Sequence, residues 1–71
     1  GNIAIPYLLS ALSDHHLHVR QYAAAAIGLF SIEELIQNQA LLPIIDALKT
    51  VEDHATWSFL TPLVRDIRRK Q

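Results

Sequence analysis

The sequence predicts an all-α fold, a stack of about two helical hairpins, on three observations. Apolar residues recur at three- and four-residue steps through most of the chain, the spacing that places them on one side of an α-helix. Polar clusters at 14–18 and 52–54 break that rhythm and mark short turns, which make the flanking helices antiparallel neighbours. A partial self-match at an offset of 36 residues sets Ala11-Leu12 on Ala47-Leu48, Leu8 on Ile44, Leu9 on Ile45, Ala23 on Phe59 and Ile27 on Leu63. Periods of about 20 to 50 residues mark stacked repeats.

The first helix is expected over about Ile3 to Leu12, with Asn2 as its candidate cap and Pro6 tolerated within about the first turn. Ile5, Leu8, Leu9 and Leu12 share one face, and Ser10 and Ser13 lie opposite. Asp14-His15-His16-Leu17-His18 forms a turn in which Asp14 or His18 could cap the next helix. That second helix is expected from about Val19 to Phe30. Val19, Tyr22, Ala23, Ala26, Ile27 and Phe30 form its buried stripe, while Arg20, Gln21 and Ala24 face elsewhere. The small residues from Ala23 to Gly28 would let backbones approach closely.

Ser31 followed by Glu34 is a capping-box signature opening a short connecting helix through about Ile36, and Glu33 and Glu34 suit its positive end. The next helix is expected from Asn38 or Gln39 to Thr50, with Leu41, Ile44, Ile45 and Leu48 inside. Pro43 either bends that helix or makes it begin afresh at about Leu42. The last helix is expected from about Ala55 to Arg69 on a stripe of Trp57, Leu60, Leu63, Val64 and Ile67. Thr61-Pro62 would also suit two shorter helices meeting at Leu60, although one kinked helix is the preferred reading. The chain thus reads as a single helical-repeat domain over 1–71: repeat one about 3–30, a connecting helix about 31–37, and repeat two about 38–69.

Seventy-one residues, 51% hydrophobic and 18% charged, favour ordered packing around one thin core and leave apolar surface over for a partner. With no cysteine there is no disulfide, thiolate nucleophile or cysteine zinc site, and a cytoplasmic setting is only the default expectation. No apolar run approaches the roughly 20 residues that span a bilayer, so no membrane partner is expected. The start at Gly1 and the lack of methionine suggest a piece of a longer parent. The net charge of −1 divides into +3 over residues 65–71 (Arg65, Arg68, Arg69 and Lys70 against Asp66) and −4 over the rest. Such a basic tail complements a helix C-terminus and carries too little charge to expect nucleic acid as partner.

Asp14 and Arg20 form the most specific polar pair, read as structural. His15, His16, His18 and His54 could meet at one edge if the two turns stack, but adjacent histidines point apart and no metal site is assigned. No nucleophile has an obvious base partner, and glycine occurs only at 1 and 28, so no phosphate loop, catalytic residue or cofactor is expected.

Ile5-Pro6-Tyr7-Leu8-Leu9-Ser10-Ala11-Leu12, Asp14, Val19-Arg20 and Ala23-Ala24-Ala25-Ala26-Ile27-Gly28 resemble one HEAT repeat, including the short variety of phycobilisome-lyase-type proteins. The added helix at Ser31 to Ile36 is similar to the three-helix armadillo layout. The resemblance implies a right-handed α–α superhelix that binds other macromolecules through its second helices, with Asp14 and Arg20 joining turn, helix and adjacent repeat. Gln21, Ala24, Ala25, Gly28, Thr56 and Phe59 are the partner-binding residues expected on those helices. Another protein is the expected partner, with self-association through exposed repeat ends as a further possibility. A chromophore-lyase-like subunit and a nucleic-acid contact through the basic tail are the alternative functions.

Overall fold

Residues 3–71 are described in the computed structural model; Asn2, the expected cap, lies outside them. The described residues form α1 (Ala4–Ala11), α2 (Leu17–Ile27), α3 (Ile32–Gln37), α4 (Leu41–Thr50) and α5 (His54–Lys70), with no strand among them. Pro6 and Pro43 are each the third residue of their helix, where a missing N–H costs no intrahelical bond. Helix α4 begins afresh within one residue of Leu42, with Pro43 in its first turn, and not at Asn38 or Gln39, which belong to the turn that ends α3. Helix starts recur at a step of 37 residues, Ala4 to Leu41 and Leu17 to His54.

Local chemistry sets the other boundaries. The Asp14 carboxylate accepts the His16 N–H at 2.9 Å, so α2 begins at Leu17, two residues ahead of Val19. Neither Asp14 nor His18 caps α2 by side chain, and His18 lies inside the helix. Ser31 and Glu34 close the expected capping box: Ser31 Oγ accepts the Glu34 N–H at 3.1 Å and Glu34 Oε1 accepts the Ser31 N–H at 3.3 Å. At the other end of α3, Ala40 N–H donates to Leu35 O and Gln39 N–H to Ile36 O, both at 3.0 Å. This is a Schellman ending with Gln39 at φ 49°, where glycine is the favoured residue. Gln39→Gly is expected to stabilise the fold by about 1 kcal/mol by relieving the left-handed backbone. An unchanged or lower urea midpoint would contradict that assignment.

Asp53 caps α5 by accepting the Thr56 N–H at 2.9 Å, and the helix runs unbroken through Pro62. Pro62 supplies no N–H to the Ser58 carbonyl one turn back. One hydrogen bond is a small loss for a helix of 17 residues that is buried along one side.

The largest fully buried side chains are Ile5, Ile27, Leu35, Ile44, Leu60 and Ile67, so every helix supplies at least one and α5 supplies two. Helix α1 packs on α2 and α4 on α5, as two hairpins. The hairpins meet where α2 packs on α5, and α3 also rests on α5. Gln21 near the start of α2 bonds the α5 cap, Asp53, at 3.1 Å. Glu33, in the α3 that follows α2, meets Lys70 near the end of α5 at 3.0 Å. The second helices of the two hairpins therefore run in the same direction.

The buried side of α2 is not the expected one. Ala24 is fully buried, whereas Tyr22 is 75% and Val19 38% exposed; Ala23 and Ile27 remain inside. The helix is turned by about one residue, roughly 100°, because its alanine side offers the close approach that α5 requires. In α5, Thr56 is buried and Trp57 half-exposed, while Leu60, Leu63 and Ile67 face inward as expected.

Candidate functional site

Two of the residues expected to bind a partner lie inside the fold. Ala24 and Thr56 are buried, Ala24 where hairpin packs on hairpin and Thr56 beneath the cap of α5. Gln21 is half-buried and its amide donates to Asp53, so it joins the hairpins together. Ala25 is half-buried, and Gly28 and Phe59 are exposed. Gly28 is not a point of close helix approach either. A methyl group there would meet only the carbonyls of Ala25 and Ala24, the nearer at 3.4 Å.

What the chain does expose is concentrated on its first hairpin. Of the large apolar side chains that reach solvent, Ile3, Tyr7, Leu17, Val19, Tyr22 and Leu29 belong to the first 30 residues, and Leu42, Trp57 and Phe59 to the remainder. Charge is divided the opposite way, since Asp14 and Arg20 are the only Asp, Glu, Lys or Arg residues before Glu33, with His15, His16 and His18 beside them at the α1–α2 turn. Asp14 and Arg20 are both engaged in that turn. Arg20 Nη1 donates to the carbonyls of Asp14 at 2.9 Å and His15 at 3.0 Å. The Asp14 carboxylate binds the His16 N–H and ring, which hold its pKa below the ordinary carboxylate value. Arg20 thus joins turn to helix through the Asp14 carbonyl and not through an Asp14–Arg20 ion pair.

On α2, Val19, Tyr22 and Ala26 follow one another at helical spacing, with Leu29 in the turn beyond. The five-residue connection makes α1 antiparallel to α2 and sets the Ile3 end of α1 beside the Leu29 end of α2. The result is an apolar, aromatic-bearing hairpin whose charges are confined to one end. Patches of this kind on soluble domains mark contact surfaces. Tyr22 and Val19 had the spacing of core residues, and nothing in the sequence alone marks them as surface.

The two turns do meet at one edge. Ser13, Asp14, His15 and Arg20 line an open cleft of about 410 Å³ with Thr50 and Glu52. The other histidines are dispersed: His16 lies on Asp14, His18 is within α2, and His54 stacks on Trp57 with ring centres 6.0 Å apart. Among the described residues no group of three or more His, Asp or Glu side chains gathers to hold a metal ion. The basic tail is partly engaged by the protein's own acids, Lys70 with Glu33 and Arg65 with Asp66 at 3.2 Å. Among the described residues no helix is long and apolar enough to cross a membrane. Comparison with protein-family models, with curated proteins and with solved structures finds no match for this chain.

Proposed function

We propose that the chain is a protein-binding module that docks another protein on the outer face of its first hairpin. The observation that carries the reading is the segregation just described: six large apolar side chains are exposed within 30 residues whose only two charges are engaged in a turn. Parallel α2 and α5 in consecutive hairpins support the finer reading, a HEAT-like segment of a right-handed superhelix. On that reading the exposed flank of α2 is where a scaffold meets its ligand. Of the residues first expected to bind, Gly28 lies beside this face at the end of α2.

Aromatic anchors dominate the energy of protein interfaces. Tyr22→Glu should therefore abolish capture of protein from a native extract by the immobilised chain, with circular dichroism unchanged because Tyr22 is 75% exposed. Undiminished capture by a folded Tyr22→Glu variant would overturn the proposal.

A further inference from the structure

We infer that the outward side of α5 is a second contact surface, and that its partner is an acidic protein segment carrying an apolar anchor. Trp57, Thr61, Arg65 and Arg68 follow one another at steps of four, four and three residues, which sets them in one line along the helix, with Arg69 beside it. The core residues Leu60, Leu63 and Ile67 lie on the other side of α5, so this line faces outward. Its apolar end is Trp57, half-exposed with the His54 ring stacked on it. Arg68 stands about 16 Å further along, at a rise of about 1.5 Å per residue. The surface belongs to the second hairpin and does not depend on how the first hairpin is read.

Charge selects the sign of the partner. Asp66 is the only acid in α5 and lies against Arg65 at 3.2 Å, while Lys70 is held by Glu33. Among the described residues neither Arg68 nor Arg69 has an acid within ion-pair distance, so two exposed guanidinium groups stand unanswered. The helix dipole favours cations in this last turn, but it asks for no tryptophan in line with them. Extent selects the class of partner. A nucleic acid or an anionic membrane calls for a longer basic surface, and the −4 carried by residues 1–64 repels any polyanion that runs past the arginines. A helix that lies on a membrane must also bury its apolar side in lipid, and α5 has that side in the core. A short run of carboxylates matches the patch. Arginine forks bind carboxylates through paired hydrogen bonds, and tryptophan and arginine are among the side chains most enriched in interfacial hot spots. In an extended segment the anchor and the acids would lie about five residues apart, at about 3.3 Å per residue.

Trp57 is the only tryptophan, so its fluorescence reports on this line alone. The probe is a synthetic peptide with a leucine pair, a short Gly-Ser spacer and a run of glutamates, titrated at low salt into the 71-residue chain. Emission should move to the blue as Trp57 is covered, and affinity should fall as salt rises. Arg68→Gln combined with Arg69→Gln should weaken binding by roughly tenfold or more, the scale of an interfacial hot spot. Lys49→Gln, which removes an exposed cation from α4, should leave it unchanged. No shift with this peptide, an equal shift with lysines in place of the glutamates, or undiminished affinity in the arginine variant would overturn the inference. Tighter binding of oligothymidylate or of phosphatidylserine vesicles would overturn it as well, by assigning the arginines to phosphate.

Discussion

Leu60→Ala should destabilise the protein by about 3 kcal/mol, the largest effect expected of any single truncation here. Leu60 is fully buried on α5, the helix that packs against α2, α3 and α4, so the lost methyl groups open a cavity in the core. A chain of this length holds on the order of 5 kcal/mol in total. The variant would keep less than half of it, and its melting temperature should fall by roughly 15 °C. Leu42→Ala removes the same atoms from an exposed site and should cost under about 0.5 kcal/mol. A loss at Leu60 no larger than at Leu42 would mean that α5 is turned the wrong way.

Most boundaries were legible because single residues dictate them. Ser31 and Glu34 announce a helix start in four letters, and Pro6 belongs in a first turn because its N–H is unneeded there, whereas Pro43 left two starts open and the fold takes the later one, near Leu42. Asp53 as the cap of α5 was equally available, an aspartate followed three residues later by Thr56, but it was read only as part of a turn. The facing of α2 was not legible. Four consecutive alanines, Ala23 to Ala26, offer nearly equal hydrophobicity around the helix, so Val19 and Tyr22 decided the expected stripe. The folded chain weighs something else, the closeness with which α5 can approach, and it selects Ala24. Arg20 and Gln21 can then sit at the margin of the buried side because each finds a hydrogen-bond partner there, the turn carbonyls for Arg20 and Asp53 for Gln21.

That choice of Ala24 over Tyr22 also made the candidate surface. Every large side chain turned away from the hairpin seam on α2 had to go to solvent, and the expected partner residues Ala24 and Thr56 went inside in exchange. The absence of charge before Glu33, apart from the turn pair, was readable from the start. Its meaning appears only once the apolar residues of that segment are seen to be exposed.

Asp53→Ala should cost about 2 kcal/mol, the sum of a lost helix cap and a stranded Gln21 amide where the two hairpins meet. Asp53→Asn should cost less, because asparagine caps nearly as well. What the asparagine cannot do is titrate. The Thr56 hydroxyl, with the Thr56 N–H and the Gln21 amide, holds the Asp53 carboxyl down from 3.8 to about 2. Between those values the unfolded chain takes up a proton that the folded chain refuses, so acid favours unfolding. The stabilisation is complete above pH 3.8 and is lost as pH falls toward 2. Glu33 beside Lys70 and Asp14 beside His16 are lowered in the same direction, so part of the acid sensitivity will remain in any Asp53 variant. Thermal melts of wild type and Asp53→Asn across this range should therefore converge as the pH drops, with the wild type the more stable at the upper end. Parallel curves would show that the Asp53 carboxylate contributes no charge-dependent stability to the junction between the hairpins.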